Sequence, residues 1–266
     1  MGWSCTASPS TATIKAEARL GLRGALRLAA IILLFLICAP VQVVTRRLFG
    51  RSPWPRWFLG SAAWIVGVRA RVQGGPVGKH TLLVSNHLNW LDILVLGGSV
   101  NSAFVSKDEL GHPLIHWLAD QNSTVYVRRT HVKGAKDQAI ALAGALEGEK
   151  PVTVFAEGTT GPGTHLLPFR STLLEAANYA AKDVEIRPVA LDYGVATPDI
   201  AWFEEPGKNN VLRILARRGI LRATIRVLPP LDRSADRKQL THQAREAIAE
   251  ALGFKSGHHS PIDLGE

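Results

Sequence analysis

His87 and Asp92 stand five residues apart in Asn86-His87-Leu88-Asn89-Trp90-Leu91-Asp92, a spacing that can make an acid–base pair. If Asp92 accepts from one ring nitrogen, it fixes the tautomer and leaves the other nitrogen free to take a proton from an alcohol. A helix-capping histidine followed by an unrelated helix-start aspartate fits the same spacing, so the pair alone does not decide. The flanks give it a place to act. Thr81–Ser85 reads as a short buried strand, and Ile93–Leu96 as the first turns of a packed helix, which puts the imidazole at a strand-to-helix corner.

A second strand, Val152–Phe155, runs into Ala156-Glu157-Gly158-Thr159-Thr160-Gly161-Pro162-Gly163. Glycines at a strand's carboxyl end let backbone amides approach a ligand, and open α/β sheets bind ligands at that edge. Taken with the His/Asp block, this resembles the glycerolipid acyltransferase family, typified by the 1-acylglycerol-3-phosphate acyltransferases. Four blocks match in the family's order: NHLNWLD, Tyr126-Val127-Arg128-Arg129, FAEGTT, and Arg187-Pro188-Val189-Ala190-Leu191-Asp192. The resemblance covers roughly Val68 to Gly253. The first and third are specific, and the other two are weak singly.

The resemblance implies acyl transfer from acyl-CoA or acyl carrier protein to a lysolipid hydroxyl, with His87 as base and Asp92 orienting it. No covalent intermediate, cofactor or metal is implied. It assigns Glu157, Gly158 and Thr159 to the acceptor site and matches Arg129 to a family arginine. The common family pattern has an arginine after Glu-Gly-Thr, thought to hold the acceptor's phosphate. Thr160 stands there instead and offers neither charge nor a bidentate fork. Lys107 and Arg170 are candidates to compensate. The expected acceptor is 1-acylglycerol-3-phosphate. The Glu-Gly-Thr-Thr-Gly variant also resembles a branch that acylates lyso-ornithine lipid, an acceptor with no phosphate.

The elements that must hold these residues follow from periodicity. From Val68 onward strands and helices alternate, so an α/β fold with a central mixed sheet layered by helices is expected. Strands are expected at Val68–Val72, Thr81–Ser85, Ala103–Val105, Thr124–Val127, Val152–Phe155, Ile186–Leu191 and Arg222–Val227. Helices are expected at Asp92–Gly97, Leu114–Asp120, Lys133–Leu146, Thr172–Ala181 and Ala235–Leu252. In the second of these, Trp117 and Leu118 take the buried positions. The domain runs from 69 to 253, after a disordered extension (1–24) and a membrane-associated segment (25–68), and before a flexible tail (254–266).

The segment 25–68 opens on about 14 residues from Leu28 without a polar side chain, stretching to about 17 if Gln42 is tolerated. That is the short end of what crosses a bilayer. A cleaved signal peptide competes, but the implied donors are cytoplasmic. Arginines flank the run on both sides (Arg23 and Arg27, Arg46 and Arg47), so their bias does not orient it. A second apolar patch, Trp57–Val68, is too short to span. With Trp54, Arg51 and Arg56 it reads as interfacial, and a helical hairpin in one leaflet suits both patches. The cytoplasmic face of a bacterial inner membrane is the expected location.

Composition narrows the partners. The 266 residues carry a formal net charge of +9, which suits membrane phospholipid or an anionic substrate. No run of five or more Lys/Arg and no nucleic-acid motif is present, which argues against nucleic acid. Cys5 and Cys38 suggest neither a disulfide framework nor a metal site. His112, His116 and Asp120 share an i, i+4, i+8 spacing, but Pro113 makes His112 a cap-region residue. A catalytically silent lipid-binding protein on the same fold would not need both His87 and Asp92. A serine lipid hydrolase would ordinarily show Gly-x-Ser-x-Gly, which is absent.

Overall fold

Short runs rich in Val, Ile and Leu become the strands of one sheet in the computed structural model, which describes residues 20–50, 52–107, 112–127, 135–181 and 183–254. The strands are β1 (Val68–Gly74), β2 (Thr81–Ser85), β3 (Ala103–Lys107), β4 (Val125–Val127), β5 (Val152–Phe155), β6 (Glu185–Asp192) and β7 (Leu221–Val227). They lie in the order β1-β7-β6-β2-β5-β3-β4, parallel throughout except between β6 and β7. Ser85, the last residue of β2, is level with Phe155 on β5 and Val189 on β6. The carboxyl ends of three strands therefore meet at one edge.

The helices are α1 (Leu22–Phe49), α2 (Trp54–Val66), α3 (Leu91–Val100), α4 (Pro113–Gln121), α5 (Ala135–Leu146), α6 (Ala176–Tyr179), α7 (Thr197–Ile200), α8 (Gly207–Ala216) and α9 (Arg237–Ala251). They cover both faces of the sheet. On one side Leu83 packs with Leu91, Val95 and Leu96 of α3 and Ile214 of α8. On the other, Leu82 and Val84 pack with Leu142 and Leu146 of α5 and Leu240 of α9. With both faces covered, β2 has no exposed position, which is why it reads as an unbroken apolar run. Outer strand β1 is exposed over most of its length and carries Arg69 and Arg71, which discourage further strand pairing.

All seven expected strands form, with ends shifted by no more than two residues. The helices depart from expectation at three places. Residues 193–220, left without elements in the sequence reading, hold α7 and α8. The helix expected at Thr172–Ala181 is a 3-10 turn, Thr172–Glu175, running into the four-residue α6. None of α4 is fully buried, Trp117 and Leu118 included, because its inner side faces a cavity rather than the core.

The amino-terminal hairpin is docked on the domain. Helix α1, 28 residues long, is apolar enough to cross a membrane and only 11% buried over its most apolar stretch. Its length is about 42 Å. Near its start, Arg27 donates to the carbonyls of Leu215 (3.0 Å) and Arg217 (2.8 Å) at the end of α8. Near its end, Gln42 donates to Gln121 Oε1 and Arg46 to the Asp120 carbonyl, both at 3.2 Å. Between them, Phe35 meets Phe58 of α2 and Trp117 of α4 edge-on. Arg56 in turn donates to the carbonyls of Gly98 and Ser99 at the end of α3. Arg56, expected at lipid headgroups, and Arg27 and Arg46, expected only to flank the apolar run, thus serve open helix C-termini. Helix α2 crosses α3 at Gly60 and Gly98, where a Cβ on Gly98 would come 2.5 Å from the Gly60 Cα, so only glycine permits the approach.

Candidate active site

The corner after β2 is built by side chains that continue the backbone's hydrogen bonding. Asn86, buried, exchanges two bonds with Leu191 of β6, its Nδ2 donating to the carbonyl (3.0 Å) and its Oδ1 accepting from the N–H (2.8 Å). This extends the sheet one residue past β2 and turns His87 out at the edge. Asn89 Oδ1 accepts from Leu91 N–H at 2.7 Å, which starts α3. One turn in, Asp92 folds its carboxylate back over the corner.

Asp92 is fully buried and accepts four hydrogen bonds. Its Oδ2 takes the backbone N–H groups of Leu88 (2.6 Å) and Asn89 (3.0 Å) and the Nδ1 of His87 (2.8 Å). Its Oδ1 takes the Tyr193 hydroxyl at 2.7 Å. Burial and the Asp92 charge push the Tyr193 phenol up, so it stays a donor. The four donors satisfy this buried carboxylate without water. Nδ1 of His87 is thereby the protonated nitrogen, and Nε2 has no hydrogen-bond partner among the described residues. The ring stacks on Phe155 at 3.9 Å between centroids and 14° between planes, with Phe104 beyond it. An imidazole fixed at one nitrogen, and free at the other beside a cavity, can serve as a base.

Glu157 lies beneath this corner. Its Oε1 accepts the His87 backbone N–H and its Oε2 the Leu167 N–H, both at 2.9 Å. Burial pushes its carboxyl up to about 7, partly opposed by those two N–H donors. The Gly161 N–H donates to the His87 carbonyl at 2.7 Å. The Glu-Gly-Thr block thus braces the histidine from below, and both Glu157 oxygens are engaged by backbone.

A cavity of about 1260 Å³ opens in front of His87. That exceeds the ~300–1000 Å³ usual for one drug-sized ligand. Phe35 and Cys38 of α1, Phe58 of α2 and Trp117 of α4 supply apolar wall, while Gly158, Thr159, Thr160 and Arg170 border it on the sheet side. The Thr160 hydroxyl donates to the Trp202 carbonyl at 2.5 Å. Lys107 ends β3 level with Val127, and its side chain lies outside the described residues, as does Arg129 altogether. So do residues 1–19 and 255–266. His112 caps α4 by accepting the Leu114 N–H, and Asp120 accepts the Tyr126 hydroxyl. Among the described residues, no three His, Cys, Asp or Glu are grouped as a metal would need.

Tyr193 and the segment 201–206 were missed by sequence reasoning. Tyr193 directly follows the fourth block, so a polar-tipped aromatic at the same sheet edge was its one signal. Nothing in the composition of 201–206 announced it.

Fold and site define an α/β enzyme with a histidine at its sheet edge and an apolar cavity in front. Residues 69–192 match the family model described as Acyltransferase. The lyso-ornithine lipid O-acyltransferase of Rhodobacter capsulatus is 30% identical over 92% of this chain and 94% of its own length. That of Pseudomonas aeruginosa is 32% identical over 89% and 95%. The 1-acyl-sn-glycerol-3-phosphate acyltransferase of Neisseria meningitidis is 29% identical over 45% and 48%. The crystal structure of the 1-acyl-sn-glycerophosphate acyltransferase PlsC from Thermotoga maritima shares the fold, with a TM-score of 0.56, 21% identity, and coverage of 88% of this chain and all of that one. The chain belongs to the lysolipid acyltransferase family and is an acyltransferase. Its apolar first helix and its lipid-acylating relatives together indicate membrane association.

Proposed function

We propose that this chain transfers a fatty acyl group from an acyl thioester, on CoA or acyl carrier protein, to the free hydroxyl of a lyso-ornithine lipid. The observation that carries the chemistry is the His87–Asp92 bond with Nε2 left open beside the cavity. Nε2 takes the hydroxyl proton as the oxygen attacks the thioester carbonyl. The tetrahedral intermediate then collapses, the C–S bond breaks, and the imidazolium returns the proton to the departing thiolate. Asp92 holds the ring through both steps, and Tyr193 holds Asp92. Glu157 and Gly161 set the height of the corner, while Gly158, Thr159, Thr160 and Arg170 border the acceptor.

The choice of acceptor rests on Thr160 and on the full-length matches. An ornithine joined to its lipid through one amine presents a second amine and a carboxylate, and no phosphate. Threonine in place of the phosphate-holding arginine fits that headgroup. 1-Acylglycerol-3-phosphate, the acceptor expected from the wider family, has the shorter matches in its favour and Thr160 against it. Assays on membranes bearing the full chain, with each donor and each lysolipid, decide between them. Turnover of lyso-ornithine lipid is expected, and turnover of lysophosphatidic acid alone would remove the reading.

The hairpin's docking supports a one-leaflet placement. A helix fastened to the domain near both ends lies along that domain, and its outward Leu26, Leu33, Leu36 and Leu48 are exposed for acyl chains. The cytoplasmic face is proposed because acyl-CoA and acyl carrier protein are made there.

A further inference from the structure

We propose that Glu204 sets acceptor specificity by receiving the ammonium of an amine-bearing lysolipid; this rests on the acceptor reading above. The segment that carries it is fastened into the cavity wall at two points. The Thr160 hydroxyl holds the Trp202 carbonyl, and the Trp202 N–H donates to the carbonyl of Leu88, the residue after His87, at 2.8 Å. The indole is fixed as well. Its Nε1 donates to the Glu205 carbonyl at 2.9 Å, and its ring lies over Gly207, where a Cβ would meet it at 2.7 Å.

Within this segment the two neighbouring carboxylates have different fates. Glu205 is committed, since Arg213 pairs with it and Asn210 Nδ2 donates to it at 2.9 Å. Glu204 is exposed, lines the same cavity as His87, and has no hydrogen bond or ion pair among the described residues. Its φ of +53° is one that glutamate adopts at a cost, and the anchored neighbours hold it there. Apart from His87, the ionisable Lys, Arg, Asp and Glu side chains lining the cavity among the described residues are Arg170, Glu204 and the already paired Glu205. Thr160, the residue that ties this segment down, is uncharged and spends its hydroxyl on the Trp202 carbonyl. Among the described residues, Glu204 is therefore the one carboxylate of the wall without a partner. Glu204 repels a phosphate and attracts an ammonium, and the adjoining rings of Trp202 and Phe203 add surfaces a cation favours. Arg170 is the complementary charge for the headgroup carboxylate.

The test compares kcat/KM of the full chain on lyso-ornithine lipid with that on the same lipid acetylated at its free amine, which keeps chain and hydroxyl but removes the cation. The unaltered chain is expected to favour the free amine by about tenfold, the size of one charge-assisted contact. Glu204→Gln brings the ratio close to one through KM, and Glu204→Lys inverts it. A Glu204→Gln variant that keeps the full preference, or an unaltered chain with none, overturns the inference and leaves the acceptor reading standing. An unaltered chain that ignores both ornithine lipids and turns over only lysophosphatidic acid overturns both.

Discussion

The corner that carries His87 and the wall that carries Glu204 face one cavity and are built on opposite plans. At the corner every carboxylate oxygen is taken. Asp92 has four donors and Glu157 two, and the backbone of His87 is held from both sides. At the wall, Thr160 and Trp202 supply anchors, and Arg170 and Glu204 stand exposed. On the proposed function, the difference separates two tasks. Proton transfer needs a ring that does not move, so its support is buried and interlocked. Headgroup choice needs only a charge at the right place, so it sits on exposed side chains that can be exchanged without disturbing the core.

Substitutions can break this division or sharpen it. His87→Ala is expected to lower kcat by 10²–10⁴-fold or more, the contribution of a positioned base, because nothing else at the corner can take the proton. Its melting curve should stay near the parent's, since Asp92 keeps three donors. Near-normal turnover from the folded variant would show that the chemistry lies elsewhere. Asp92→Asn should cost about 10²-fold in kcat and 1–3 kcal/mol in stability. An amide there must turn its NH₂ toward either the Leu88 and Asn89 N–H groups or the Tyr193 hydroxyl. Urea unfolding alongside the assay reads both effects.

Glu157 tests the corner from beneath, through pH. Its folded pKa of about 7 lies above its ordinary value of 4.5, so the folded chain holds this proton more tightly than the unfolded chain. The stability from that difference is fully present below about pH 4.5 and is lost as pH rises through about 7, about 3 kcal/mol in all. Thermal melts at pH 5 and pH 8 should show the parent losing ground to Glu157→Gln between them, and parallel curves would refute the assignment. Tyr193→Phe should cost up to about tenfold in kcat and ~1 kcal/mol, since Asp92 loses one donor of four. The smallest effect belongs to the wall. Arg170→Ala should raise KM for the acceptor about threefold and leave kcat and the melting temperature unchanged, as befits an exposed cation.

The pairing of His87 with Asp92 was more legible than what supports it. The strands announced themselves because β2 and β5 are covered on both sides, which forces continuous apolar runs. His87 and Asp92 sit close enough in sequence to be paired by eye. Tyr193 and Glu157 act on the same corner from 101 and 70 residues away, a relation that only the sheet's order creates. Glu157 reads like an acceptor-site residue because its block does, while the backbone N–H groups that engage it leave no mark in a sequence. Helix α8 opens on Gly207-Lys208-Asn209-Asn210, residues that favour turns, and is held helical by burying Asn210, Ile214 and Leu215. Arg56 looked like a lipid contact because, in a sequence, a guanidinium that caps a carbonyl cannot be told from one that faces a headgroup.

Helix α1 is pinned beside α8 and beside α4, and between those pins its Phe35 and Cys38 form part of the reaction chamber's lining. One helix is therefore both wall to the cavity in front of His87 and carrier of the exposed Leu33 and Leu36. Removing α1 would strip Phe35 and Cys38 from that wall and is expected to open the cavity to solvent.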